Sequence, residues 1–96
     1  MKDIILEAIK KRQLLQFHYS GGMRTVEPHC YGLTTKGNEG LRAFQVTGYS
    51  SSGKLGWKMF DLSKVTSIII LDDIFTNPRQ DYKQGDRGMK TIFCEI

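Results

Sequence analysis

The stretch Leu14-Leu15-Gln16-Phe17-His18-Tyr19-Ser20-Gly21-Gly22-Met23-Arg24-Thr25-Val26-Glu27-Pro28 decides the fold. Leu15, Phe17 and Tyr19 alternate with Leu14, Gln16 and His18, the period of two that a half-buried strand shows. Gly21-Gly22 supplies positive φ for a tight hairpin turn. The return strand then runs from Met23 to about Leu33 with Pro28 inside it. Proline donates no ladder hydrogen bond, so Pro28 marks an edge, a bulge or a bend. A long strand bent at one point is what a small barrel needs at its corners.

Upstream, Asp3 caps a short helix that ends near Arg12 or Gln13. Ile5, Ala8, Ile9 and Arg12 share one of its faces, and Glu7 and Lys11 pair one turn apart. Downstream, Lys36 to Gly40 is a loop and Leu41 to Tyr49 a strand. Ser51-Ser52-Gly53 is a hairpin turn, Gly56 to Leu62 a strand and Val65 to Leu71 a β-branched strand. One helix and five strands with short connections fit a small, partly open barrel better than a sandwich. The reading assigns residues 4–73 to this domain with its N-terminal helix and residues 74–96 to a C-terminal extension. In that extension Asn77-Pro78-Arg79 is a turn and Asp81 to Gly88 is polar. Met89 to Ile96 reads as a last strand, pairing either with the barrel edge or with another molecule.

Ninety-six residues make one domain with a modest core. Hydrophobic content of 40% beside 25% charged residues is that of an ordinary soluble globular chain. No apolar run approaches a membrane span, and no export signal is visible, which points to the cytoplasm. Cys30 and Cys94 lack metal-type spacing and are expected as free thiols. The net charge is +4, unevenly spread. Up to Lys64 there are ten Lys/Arg against five Asp/Glu, and four against five thereafter. That imbalance permits an anionic partner such as a nucleotide or a single strand.

From Ile4 to Leu71 the chain resembles a WYL domain. The resemblance is carried by the helix Ile5 to Arg12, Phe17-x-Tyr19, Arg24-x-x-x-Pro28 and Trp57-x-x-Phe60-x-Leu62-x-x-Val65. Two departures are plain. Lys64 stands where the pattern usually has arginine, and the name-giving triplet is reduced to Phe44 within Ala43-Phe44-Gln45. The helix-turn-helix that usually accompanies such domains is absent from this chain. The resemblance implies a five-stranded, strongly bent SH3-like or Sm-like β-barrel. It also implies a ligand-sensing role in transcriptional regulation or phage defence, with the ligand on a basic face.

Tyr19, Arg24, His29, Tyr31, Arg42 and Lys58 are the residues that could form that face. Arg42 lies on the face of Phe44 and Val46. It either enters a pocket, where it needs an anion or a carboxylate, or snorkels into water. Arg24 shares a face with Val26 and could instead pair with Glu27 or Asp61. His29 and Tyr31, sharing a face with Leu33, can stack on a base or accept a phosphate hydrogen bond. His29 could equally be fixed at a barrel corner. Tyr19 belongs in the core with its hydroxyl on a backbone carbonyl. Trp57 either forms a contact patch for a partner or is covered by the helix.

No catalytic constellation is present. Cys30 and His29 are strand neighbours on opposite faces, and Asp72-Asp73 has no further ligand at metal spacing. The sequence therefore predicts a non-enzymatic sensor of an anionic ligand, a nucleotide or single-stranded nucleic acid, with no cofactor and no metal. The alternative is a protein-protein interaction or oligomerisation module, with Trp57 and the tail docking onto a second copy or a larger regulatory protein.

Overall fold

The computed structural model describes residues 1–96. Helix α1 covers Lys2–Lys11, followed by strands β1 (Gln13–Tyr19), β2 (Gly22–Thr34), β3 (Glu39–Gly48) and β4 (Gly56–Asp61). A 3-10 turn at Leu62–Lys64 leads to β5 (Thr66–Ile74), and β6 (Met89–Glu95) comes last. The chain is mainly β with one N-terminal helix, as expected, but the sheet has six strands. All pairings are antiparallel, in the order β4-β3-β2-β1-β5, with β6 on β2. β4 and β5 share no ladder, so the sheet stays open. No helix is long and apolar enough to cross a membrane.

β2 organises everything else. One of its edges pairs with β3 along nearly its whole length. The other edge is divided: Gly22 to Val26 pair with β1, and Cys30 to Thr34 pair with β6. Pro28 falls in the gap between these partners, where a missing N–H costs no ladder bond. The β2–β3 register slips between Pro28 and Cys30, which makes His29 a bulged residue. On the β6 side the two backbones approach so closely at Gly32 that a Cβ there would lie 2.1 Å from the Thr91 carbonyl oxygen. The last-strand expectation for Met89 to Ile96 is thereby met by pairing within the chain.

Two local expectations are corrected. The β1–β2 turn is Ser20-Gly21 rather than Gly21-Gly22, both residues having positive φ (38° and 104°), with Tyr19 opposite Gly22. Asp3 does not cap α1. The helix starts after Met1 without a side-chain cap, and Asp3 sits in the first turn, where its charge still complements the helix dipole. The other end follows the pattern more closely. Arg12 closes α1 in the left-handed region, with its Nη1 donating to the Ile9 carbonyl at 2.9 Å.

The core joins Ile5, Ala8 and Ile9 of α1 to Leu15, Phe17, Val26, Tyr31, Leu41, Ala43, Phe60, Leu62 and Val65. Phe17 on β1 and Phe60 on β4 meet edge to face at 5.0 Å, and Tyr19 meets Phe60 at 5.1 Å. In a flat sheet β1 and β4 would be three strand spacings apart, about 14 Å. The sheet is therefore strongly curled around its apolar face. On β3 that face consists of Leu41, Ala43 and Gln45, not of Arg42, Phe44 and Val46 as the alternation of large apolar residues suggests. Gln45 tolerates burial because its amide donates to the Thr47 and Tyr49 carbonyls at 3.1 and 2.8 Å.

Candidate functional site

A second, smaller layer covers the outer face of β3 and β4. After Ile74 the chain crosses that face as a strap, residues 75–88, before entering β6. The strap lays Phe75 and Tyr82 against His29 at 5.3 and 5.0 Å, and His29 meets Trp57 at 4.7 Å. Trp57 packs edge to face on Phe44 at 5.5 Å, and the Arg79 guanidinium lies over Phe44 at 4.5 Å. Trp57 Nε1 donates to the Gln80 carbonyl. The strap lies against Trp57 and leaves it half-buried, and α1 packs elsewhere. Neither a bare contact patch nor a helix-covered tryptophan describes it.

His29 is fully buried. Its Nδ1 lies 2.8 Å from the Glu27 carbonyl oxygen, and the Arg79 backbone N–H donates to Nε2 at 3.1 Å. Both bonds hold only if Nδ1 carries the proton and the ring is neutral. Burial pushes its pKa below the ordinary 6.5, against the raising influence of Glu27. Arg79 fixes the strap a second time through a forked bond to Glu27, at 2.7 and 3.1 Å. Tyr82 donates to the Ile96 carbonyl at 2.9 Å and so ties the strap to the chain end. Burial raises the Tyr82 phenol above its usual range.

The expected basic face is not a single surface. Arg24 is 4% exposed, inside the sheet, and pairs with neither Glu27 nor Asp61. Its Nη2 donates to the Tyr19 and Ser20 carbonyls and Nη1 to Gln45 Oε1, while Nε has no partner. The rings of Tyr19, Tyr49 and Phe60 surround it at 5.2 to 6.0 Å. Tyr31 is a core residue whose hydroxyl donates to Glu39 at 2.6 Å, and burial raises its pKa. It does not share a face with His29, because the bulge resets the alternation. Tyr19 accepts at its hydroxyl from the Asp61 N–H rather than reaching a carbonyl. Lys58 donates to Ser50 at 3.0 Å and lines neither of the hollows beside Arg42.

Arg42 differs. It lies on the outer face of β3, and its Nε and Nη2 grip Asp86 of the strap at 2.7 and 3.2 Å. That grip holds the Asp86 carboxyl below its usual range. Two open hollows meet at Arg42. One, of about 720 Å³, is walled by Trp57, Tyr82, Lys83 and Arg87 together with the acids Asp81 and Asp86. The other, of about 400 Å³, adds Lys36, Lys64, Asn38, Asp61 and Tyr19. Of the seven residues singled out from the sequence, Tyr19, Arg42 and Trp57 line this region, and Arg24, His29, Tyr31 and Lys58 do not. Lys36, Lys64, Lys83, Asp86 and Arg87 were not among them, although Lys64 stands at the arginine position of the resemblance. The basic count before Lys64 offered a faint signal for the first two, and the polar run Asp81 to Gly88 for the rest.

Neither cysteine is bonded to the other, and burial pushes the Cys30 thiol up to about 12, away from nucleophilic use. No group of three His, Cys, Asp or Glu side chains is placed to hold a metal ion. Comparison with family models, with curated proteins and with solved structures finds no match.

Proposed function

We propose that this chain is a non-enzymatic sensing or regulatory module that binds an anionic ligand at Arg42, on a WYL-like, strongly bent barrel of the SH3 or Sm type. The observation that carries the reading is the position of Arg42 where two hollows meet, one bringing Lys83 and Arg87 and the other Lys36 and Lys64. Cations gathered over a concave surface raise the local concentration of anions and speed their capture. Trp57 and Tyr82, only 24° from parallel at 6.0 Å, offer aromatic surface beside the charge. A phosphate flanked by a planar base, as in a nucleotide or a single-stranded nucleic acid, matches that combination. Asp86 already neutralises Arg42, so an incoming phosphate must displace or bridge that carboxylate.

Calorimetric titration of mononucleotides and short single-stranded oligonucleotides over a salt series tests the proposal. Affinity falls as salt rises. Arg42→Ala weakens binding about tenfold, or ~1.4 kcal/mol, while Asp86→Asn strengthens it. Salt-independent binding, or binding indifferent to both substitutions, defeats the reading.

A further inference from the structure

Three strands have an outer edge, and two of them are touched at one end by a side chain or by the strap. On β4 the Tyr19 hydroxyl takes the Asp61 N–H, and the strap sits over Trp57. At the end of β6, Gln84 of the strap donates to the Ile96 carbonyl and the Gly85 N–H to the Glu95 carboxylate. β5 has no such cover. It pairs only with β1, and the one side chain bonded to its backbone is Gln13, reaching the Leu71 carbonyl from β1. Not one of its nine residues is buried, although it carries Ile68-Ile69-Ile70-Leu71 in succession. Ile69 is 49% and Ile74 64% exposed. An apolar edge with unpaired N–H and C=O groups is a template for another strand.

We propose that β5 pairs antiparallel with β5 of a second copy of this chain, about a two-fold axis passing through Ile69. The β1–β5 ladder slips twice, between Gln13 and Leu15 and between Gln16 and His18, and Ser67 has φ of 54°. These irregularities confine a regular outer ladder to the stretch around Ile68 to Leu71. Two-fold pairing joins residues of the same face, so the centre falls on a single residue of that stretch. Ile68 and Ile70 lean on the core, which leaves exposed Ile69 as the residue with most to gain from meeting its own copy.

The charges of β5 select this orientation. Lys64 lies just before the strand, and Asp72-Asp73 lie near its end. Antiparallel pairing centred on Ile69 brings the Asp72-Asp73 end of each strand toward the Lys64 end of the other. Both ends then bring acid to base. Parallel stacking would instead align like charges.

Light scattering over a concentration series tests the proposal, independently of any ligand. The average mass rises from one chain toward two. Ile69→Lys holds it at one chain with an unchanged circular dichroism spectrum. Lys64→Glu weakens the dimer at least several-fold, and adding Asp72→Lys and Asp73→Lys restores it. If Ile69→Lys fails to fold, amide exchange on the unaltered chain decides. Peptides spanning residues 68–71 must gain protection as concentration rises. A chain that stays monomeric to its solubility limit overturns the proposal. So does a dimer that survives Ile69→Lys, growth into open-ended species, or protection that appears only elsewhere.

Discussion

Arg24 is a buried cation without a carboxylate. Desolvation of a guanidinium costs several kcal/mol, and here carbonyl oxygens, one amide and three aromatic rings offset it in place of a counterion. An apolar side chain of similar volume escapes that cost altogether. Arg24→Met is therefore expected to keep the stability within about 1 kcal/mol of the parent by urea denaturation. A loss above about 3 kcal/mol would mean that the guanidinium holds the turn Ser20-Gly21 together. His29 yields a pH dependence with a definite sign. Its folded pKa lies below the unfolded value, so the unfolded chain binds the proton more readily. Stability is full above about pH 6.5 and is lost as pH falls from there through the folded value. Thermal melts across pH 7 to 5 are expected to show that decline, and His29→Gln to flatten it. Asp86 acts in a lower window: its contribution is full above the ordinary carboxylate range and is lost as pH falls through that range toward its depressed folded value.

At the scale of the element, the strap joins the outer face of the sheet to β6. Its anchors are the Arg79–Glu27 fork, the His29 bond to the Arg79 N–H, the Tyr82 hydroxyl and the Arg42–Asp86 pair. The Glu27 side chain is only 8% exposed, so removing its partner leaves a charge in a dry place. Arg79→Ala is expected to cost about 1–2 kcal/mol, toward the lower figure because Arg79 itself is partly in water. Combining it with Glu27→Gln should cost less than the two single losses added together. Amide exchange provides the local test: residues 79–88 speed up in Arg79→Ala while β1 and β2 keep their protection. Uniform acceleration through the sheet would show that the strap and sheet open as one unit.

For the molecule as a whole, the tail is part of the fold. An accessible surface of 5540 Å² is close to the ~5,600 Å² expected of a compact monomer of 11.0 kDa. Ending the chain after Asp73 would strip β2 of its second partner and uncover His29, Trp57 and Phe44 together. Such a truncated chain is expected to lose cooperative thermal unfolding by circular dichroism. A truncated chain that melts as sharply as the parent would make residues 74–96 an appendage after all.

The sequence by itself determined the elements. Alternation placed Leu15, Phe17 and Tyr19 on one face, the spacing of Ile5, Ala8 and Ile9 seated the helix, and Pro28 marked the irregularity in β2, because each signal is written within a few neighbouring residues. Tertiary structure alone decided which charges meet. Arg42 finds Asp86 across 44 positions and Arg79 finds Glu27 across 52. A one-residue bulge at His29 separates it from Tyr31, and Gln45 displaces Phe44 from the interior. Pairings of that kind depend on where a long strand changes partners and how a connecting segment returns, and no local pattern encodes either.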